Sequence, residues 1–259
     1  MRIAFLSDIH GNLPALEAAL EDVRGAGVDQ IVVGGDVLPG PMPCESFATL
    51  FGLGIPVSFI QGNGDLAVLA QIGAPGPDAV SYWGTTSGEP LPEPLREVLC
   101  WNADQIHPQY DDVIRSWPKT LRLRIPGLDE VLFCHGTPRS ETECFTRLTP
   151  ENRLVHVFKD VKSSLVVCGH THMQFDRRIA GVRVVNAGSV GMPFGRPGAD
   201  WLLLGPNVQL KHSSYDLQAG AARIRDTPYP QAFEFAEQFV LKPPSEESML
   251  DLYTDASFV

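Results

Sequence analysis

The sequence predicts an α/β fold built on a parallel sheet, and three observations predict it. Short apolar, β-prone runs recur at residues 2–7, 30–33 and 56–60. Segments with helical spacing of apolar residues separate them, which is the pattern of β-α-β units. At 259 residues and 44% hydrophobic content, the chain can bury the core of one large α/β domain or two small ones.

Taken in order, the run Arg2–Ser7 is the first strand, and Asp8-Ile9-His10-Gly11-Asn12 follows it. Asn12 suits an N-cap and Pro14 a first helical turn. Leu13, Leu16, Leu20 and Val23 then recur at helical spacing, and Gly25 and Gly27 close that helix. Gln30–Val33 is the second strand, ended by Gly34-Gly35-Asp36. Phe47–Gly54 reads as a helix and Pro56–Ile60 as the third strand, ended by Gly62-Asn63-Gly64-Asp65. Residues 73–94, rich in Gly and Pro, form a long irregular loop suited to a lid or a plain surface excursion. Residues 95–117 carry a helical apolar pattern in two pieces. Leu121–Ile125 and Val131–Cys134 are strands joined by a turn at Pro126-Gly127, and His135-Gly136 ends the second. Residues 151–161 form a helix. Leu165–Cys168 is a buried strand, ended by Gly169-His170-Thr171-His172. Residues 178–185 form two strands about an Ala180-Gly181 turn, followed by Asn186. Residues 201–204 and 208–211 form a closing hairpin. From Leu217 two helices lead into a loose, acidic tail.

Charge and composition narrow the function. A formal net charge of -11 argues against a dedicated binder of nucleic acid or of a membrane surface, which would carry a basic patch. No stretch approaches the roughly 18 apolar residues of a membrane span. Five cysteines without a CxxC pair fit a reducing compartment, and a cytoplasmic location is expected. Self-association into a homo-oligomer is compatible with this composition.

The chemistry-bearing residues share one placement. Asp8 and His10, Asp36, Asn63, His135, His170 and His172, and Asn186 each follow a strand directly. Four of the seven histidines belong to this set. Ligands of α/β sheets bind beyond the carboxyl ends of the strands. Any one of these residues fits a turn, a cap or a satisfied core histidine equally well; the joint placement points to metal. Two aspartates, one asparagine and four imidazoles exceed one tetrahedral site and suit two adjacent divalent ions, with Asp36 as the natural bridge. Such a pair supports in-line phosphoryl transfer. Arg139 and Arg196 fit phosphate contacts or solvated surface positions. Tyr82 and Trp83 fit base stacking or core packing.

The blocks Asp8-x-His10, Gly35-Asp36, Gly62-Asn63-x-Asp65, His135-Gly136 and Gly169-His170-Thr171-His172, in this order, resemble the calcineurin-like metallophosphoesterase superfamily. The 7–12 and 186–191 segments look most like its small bacterial and archaeal phosphodiesterase branch. The resemblance implies a four-layer α/β/β/α sandwich with a dinuclear metal site at the strand ends. It implies a catalytic domain over residues 1–212, with an insert at about 73–118 and a helical extension over 213–259. It assigns Asp8, His10, Asp36 and His172 to one ion, and Asp36, Asn63, His135 and His170 to the other. Manganese is the first choice, with Fe, Zn, Ni or Co as alternatives. It places Asn63 and Asp65 in the catalytic motif and implies attack by a metal-bridging hydroxide on a small, nucleotide-like phosphoester. The alternative is a weak scaffold or a nucleotide-binding regulatory module that keeps the fold.

One departure stands out. The family's third motif usually carries a histidine that protonates the leaving group, and Gly64 occupies that position here. The expectation is a preference for leaving groups that need little protonation, with His107 as the one histidine of the insert able to substitute.

Overall fold

The structure is a computed structural model that describes residues 1–73 and 91–255. Tyr82, Trp83 and most of the predicted 73–94 loop lie outside the described residues. The elements run β1 (Ile3–Leu6), α1 (Leu13–Ala26), β2 (Gln30–Val33), α2 (Pro43–Phe51), β3 (Val57–Phe59), α3 (Asn63–Leu69), α4 (Glu93–Ile106) and α5 (Asp111–Arg115). They continue as β4 (Thr120–Ile125), β5 (Asp129–Cys134), α6 (Glu151–Phe158), β6 (Leu165–Cys168), β7 (Gln174–Ile179), β8 (Val182–Ala187), β9 (Ala199–Leu204) and β10 (Val208–Ser213). Three C-terminal helices follow, α7 (Leu217–Arg225), α8 (Ala232–Phe235) and α9 (Glu246–Asp255), with a π-helical turn over Ala236–Leu241.

Two five-stranded sheets form, ordered β10-β9-β1-β2-β3 and β4-β5-β6-β8-β7. The parallel pairs are β1–β2, β2–β3, β5–β6 and β6–β8, and the antiparallel pairs are β1–β9, β9–β10, β4–β5 and β7–β8, so each sheet is mixed. Alternation along the strands separates three apolar layers. Ile3 and Phe5 meet Val131, Phe133, Leu165 and Val167 between the sheets, and the Phe5 and Phe133 rings stack at 5.5 Å. Ala4 and Leu6 face the helices of the first sheet, including Leu16 and Leu20 of α1. Leu132, Cys134, Val166 and Cys168 face Leu154 and Phe158 of α6. Three cores between four layers give the α/β/β/α sandwich.

The structure moves some boundaries. Gly25 lies inside α1, and the helix is closed by Gly27 in the left-handed conformation, φ 63°. Helix α2 begins at Pro43, whose ring suits a first turn, and stops before Gly52 rather than reaching Gly54. Residues 63–69, read as a turn, continue into α3. The acidic tail, expected loose, is helical through Asp255. It buries Leu250 and Tyr253 against Met173 and Phe194, an anchoring too sparse to be legible in so polar a segment. Helices α7 and α8 pack Ala221, Ile224, Tyr229 and Phe235 with Val98 of α4. No helix among the described residues is long and apolar enough to cross a membrane.

Candidate metal centre

The site is built where β1, β2, β3, β5 and β6 stop. Backbone pairing continues past the strand ends: Asp8 N–H donates to Gly35 C=O at 3.0 Å, and His10 N–H to Asp36 C=O at 3.0 Å. On the other side, Val190 and Gly191 donate to the carbonyls of Ser7 and Asp8 at 2.9 Å each. Loops held this way aim side chains precisely enough to share one volume. The backbone itself is strained there. Among the described residues, Asp8, His10, Asp36, His170 and His172 all adopt positive φ, between 48° and 69°. Left-handed backbone costs a non-glycine residue roughly 1 kcal/mol or more, and five such residues in one site mark a functional constraint.

Two buried triads result, Asp8–His10–His172 and Asp36–His135–His170, with candidate ligand atoms within 4.8 Å of one another in each. The triads adjoin. Asp36 Oδ2 lies 3.8 Å from His10 Nε2 and 3.5 Å from His135 Nε2. Asp8 Oδ1 lies 3.2 Å from His172 Nε2 and 3.9 Å from His135 Nε2. Asn63, the first residue of α3, sets its Oδ1 3.0 Å from His135 Nε2.

The donor set fits divalent cations. His10 Nδ1 faces the Pro39 carbonyl at 3.2 Å, and His172 Nδ1 faces the Met192 carbonyl at 2.9 Å. A carbonyl only accepts, so each Nδ1 carries a proton and each Nε2 is turned into the triad. The two Nε2 atoms lie 3.2 Å apart, so one cation is within reach of both rings. Asp8 Oδ1 is buried and has no hydrogen-bond partner among the described residues, while its Oδ2 accepts from the His170 N–H at 2.9 Å. A buried carboxylate oxygen without a donor is costly, and a cation satisfies it.

A backbone carbonyl anchors a ring of the second triad as well. His135 Nδ1 donates to the Gly34 carbonyl at 2.8 Å, leaving Nε2 to face Asn63, His170 Nδ1 and Asp36. His170 Nε2 lies 3.0 Å from Cys144 Sγ.

Electrostatics agree. Burial and the neighbouring His172 hold His10 down at about 4, and burial and His135 hold His170 down at about 3, so both rings are neutral ligands at pH 7. Burial disfavours a charged His135, but the Asp36 and Asp8 carboxylates outweigh it and hold the ring up at about 10. For Asp8 and Asp36, burial works against the charged form, yet the surrounding histidines hold both carboxyls below the usual range.

Asp65 has a different place. Its two oxygens accept from the backbone N–H of Asp36 at 2.8 Å, Leu38 at 3.0 Å and Gly62 at 3.1 Å. It therefore fixes the loops that carry Asp36 and Asn63, and acts as a positioning residue. Burial and the Asp36 charge push its carboxyl up to about 8, against the pull of the backbone donors. Gly64 is enclosed: a Cβ there would lie 2.4 Å from the Leu38 carbonyl oxygen and 3.0 Å from Asp36 Oδ1. The position next to Asn63 thus admits no side chain in this backbone.

Other sequence candidates lie elsewhere. Arg139 pairs through Nε with Glu143 at 2.6 Å, and Arg196 lies 3.4 Å from Asp200 beside a separate depression. Neither lines the cavity over the triads. His107 faces Asp111 at 3.2 Å on an exposed helix end, also outside that cavity. Asn186 donates to the Gly169 carbonyl at 2.5 Å and to Thr171 Oγ1 at 3.1 Å, tying down the loop that bears His170 and His172.

The triads open into a cavity of about 560 Å³ that exposes His10, Asp36, Asn63, His170 and His172. Its remaining wall comes from 92–98, Met192, Phe194 and the C-terminal segment 229–253. Sequence reasoning missed this wall, because aromatic residues at helical spacing look the same whether they fill a core or face a pocket.

The structure aligns with PH1004 of Pyrococcus horikoshii at a TM-score of 0.75 and 20% identity, covering 94% of this chain and 99% of that one, a likeness of fold. With a metallophosphoesterase of Sphaerobacter thermophilus the TM-score is 0.67 at 26% identity, covering 93% and 99%. In sequence, the chain is 27% identical over 189 residues to the uncharacterized protein MJ0912 of Methanocaldococcus jannaschii, covering 73% of this chain and 69% of that protein. The sequence model of the calcineurin-like phosphoesterase superfamily domain matches residues 1–204, and the chain belongs to that superfamily.

Proposed function

We propose that this protein is a metal-dependent hydrolase that cleaves the phosphoester bond of a small substrate. Asp8, His10 and His172 hold one divalent cation, Asn63, His135 and His170 hold a second, and Asp36 stands between them as the shared ligand. The observation that carries this reading is the pair of imidazole Nε2 atoms of His10 and His172, 3.2 Å apart, beside a buried Asp8 oxygen with no hydrogen-bond partner among the described residues. The family uses divalent metals, and manganese is the first ion to test.

When bound, two cations supply a nucleophile at neutral pH and draw charge from both the attacking and leaving oxygens. The chain's own part is to orient and to exclude water. The Pro39, Met192 and Gly34 carbonyls fix three ring tautomers, and Asp65 holds the Asp36 and Asn63 loops in place. No side chain at Gly64 offers a proton, so the leaving group departs with little help.

The test is turnover of bis(p-nitrophenyl) phosphate with added manganese. Turnover that needs the metal, stops on chelation and is lost in Asp36→Asn is the expected result. A protein that binds two equivalents of metal yet turns over neither phosphodiesters nor phosphomonoesters would instead be a scaffold or a nucleotide sensor.

A further inference from the structure

The cavity over the triads has a far wall with a chemistry of its own. Tyr229, Phe235, Phe239, Met249, Leu252 and Tyr253 line it, all contributed by the segment that follows the family-matched residues. Phe239 sits on the π-helical turn Ala236–Leu241, a rare distortion that is frequent at functional sites. The volume, about 560 Å³, is that of a small-molecule pocket and exceeds what one phosphate group needs.

Charge decides what fills it. No lysine or arginine occurs among the described lining residues. Residues 74–90 contain none either. Glu234, exposed at the rim, forms no ion pair or hydrogen bond among the described residues. A chain of several phosphates would bring extra negative charge to a wall with no cation to receive it, and buried unpaired charge is strongly unfavourable. A ring or apolar group loses nothing there and gains burial.

We propose that this wall receives the organic group of the substrate, and that the substrate is a phosphodiester with one negative charge at phosphorus and an uncharged, ring-bearing or apolar ester group. The inference rests on the hydrolase reading above. Residues 229–253 then act as the specificity element of the site.

Two esters with the same leaving group separate the possibilities: methyl p-nitrophenyl phosphate and phenyl p-nitrophenyl phosphate, assayed with the manganese-loaded full chain. The expected kcat/KM ratio favours the phenyl ester by about tenfold or more, through KM, as burying one ring predicts. In the double variant Phe239→Ala, Leu252→Ala, whose side chains are half-buried and exposed, the ratio falls to about threefold or less. Binding supplies a readout free of turnover: calorimetry should show phenylphosphonate binding the loaded protein about tenfold more tightly than methylphosphonate. Turnover of both esters at equal efficiency, with equal phosphonate affinities, overturns this inference and leaves the hydrolase reading intact. A preference that survives the double variant unchanged overturns the assignment to this wall. Absence of turnover of either ester by loaded protein overturns both readings.

Discussion

Metal-linked stability is the sharpest quantity the site predicts. The perturbation is removal of the cations by a chelator, followed by titration with manganese. Without metal, the fold holds two imidazole Nε2 atoms 3.2 Å apart and a buried carboxylate oxygen that lacks a donor among the described residues. A ligand that binds only the native state, at a free concentration one hundred times its Kd, stabilises by about 2.7 kcal/mol. Two sites together give about 5 kcal/mol. For chains of about this length, 1 kcal/mol moves Tm by about 2–4 °C, so the full shift is roughly 10–20 °C. His172→Ala removes a ligand from one triad only. It also removes a ring stacked on Phe194 at 5.0 Å, so the apoprotein itself loses stability. The informative number is therefore the metal-induced increment, which should fall to roughly 5–10 °C. Scanning calorimetry gives the increment, and elemental analysis gives the metal count, expected to drop from two per chain to one. An increment and a count that His172→Ala leaves unchanged would refute the ligand assignment, and a wild-type Tm indifferent to metal would refute the site.

Three further outcomes follow from the same geometry. Because His135 is held up at about 10 while His10 and His170 sit at about 4 and 3, His135 carries a proton that metal must displace at pH 7 and those two rings carry no second proton. Affinity should rise about tenfold per pH unit on the way to that value. Calorimetry in buffers of different ionisation enthalpy should find about one proton released per chain, and zero release would sink the assignment. Asp65→Asn sets an amide NH₂ against at least one of three backbone N–H donors. It should cost about 1–3 kcal/mol in chemical denaturation and weaken metal binding, whereas a variant as stable as wild type would show that these bonds hold nothing in place. Gly64→His should fail to restore a general acid and should destabilise by about 1–3 kcal/mol through the Leu38 carbonyl clash, while the wild type shows a steep rate dependence on leaving-group pKa. A flat dependence, or a faster Gly64→His enzyme, would contradict the closed position.

The sandwich and the convergence of the triads were legible in the sequence because both depend on local signals. Runs such as Ile3–Leu6 and Leu165–Cys168 are apolar enough to be strands, and the residue type directly after each is visible without any tertiary knowledge. What the pattern hid was set by contacts distant in sequence. Arg139 and Arg196 look like phosphate clamps until Glu143 and Asp200 are found beside them. Asp65 looks like a catalytic carboxylate until three backbone amides are found on its oxygens. Helix α9 looks loose because Glu246, Glu247, Asp251 and Asp255 dominate it, and the buried anchors Leu250 and Tyr253 are few.

The Gly64 position and the aromatic wall are two sides of one arrangement. The Leu38 carbonyl occupies the space beside Asn63 where a side chain would stand, and Gly64 N–H donates to Asp36 Oδ1 at 2.7 Å. That bond steadies the shared carboxylate, but it closes the place from which a proton would be delivered. The rate must then come from elsewhere. Binding energy gathered on remote, non-reacting parts of a substrate can be used to orient the reacting centre. Tyr229, Phe235, Phe239 and Tyr253, on the far side of the same cavity, supply such a surface. A site that cannot protonate the leaving oxygen gains most from a substrate that leaves as a weak base and is held by its organic half, and this chain carries the structural features for both.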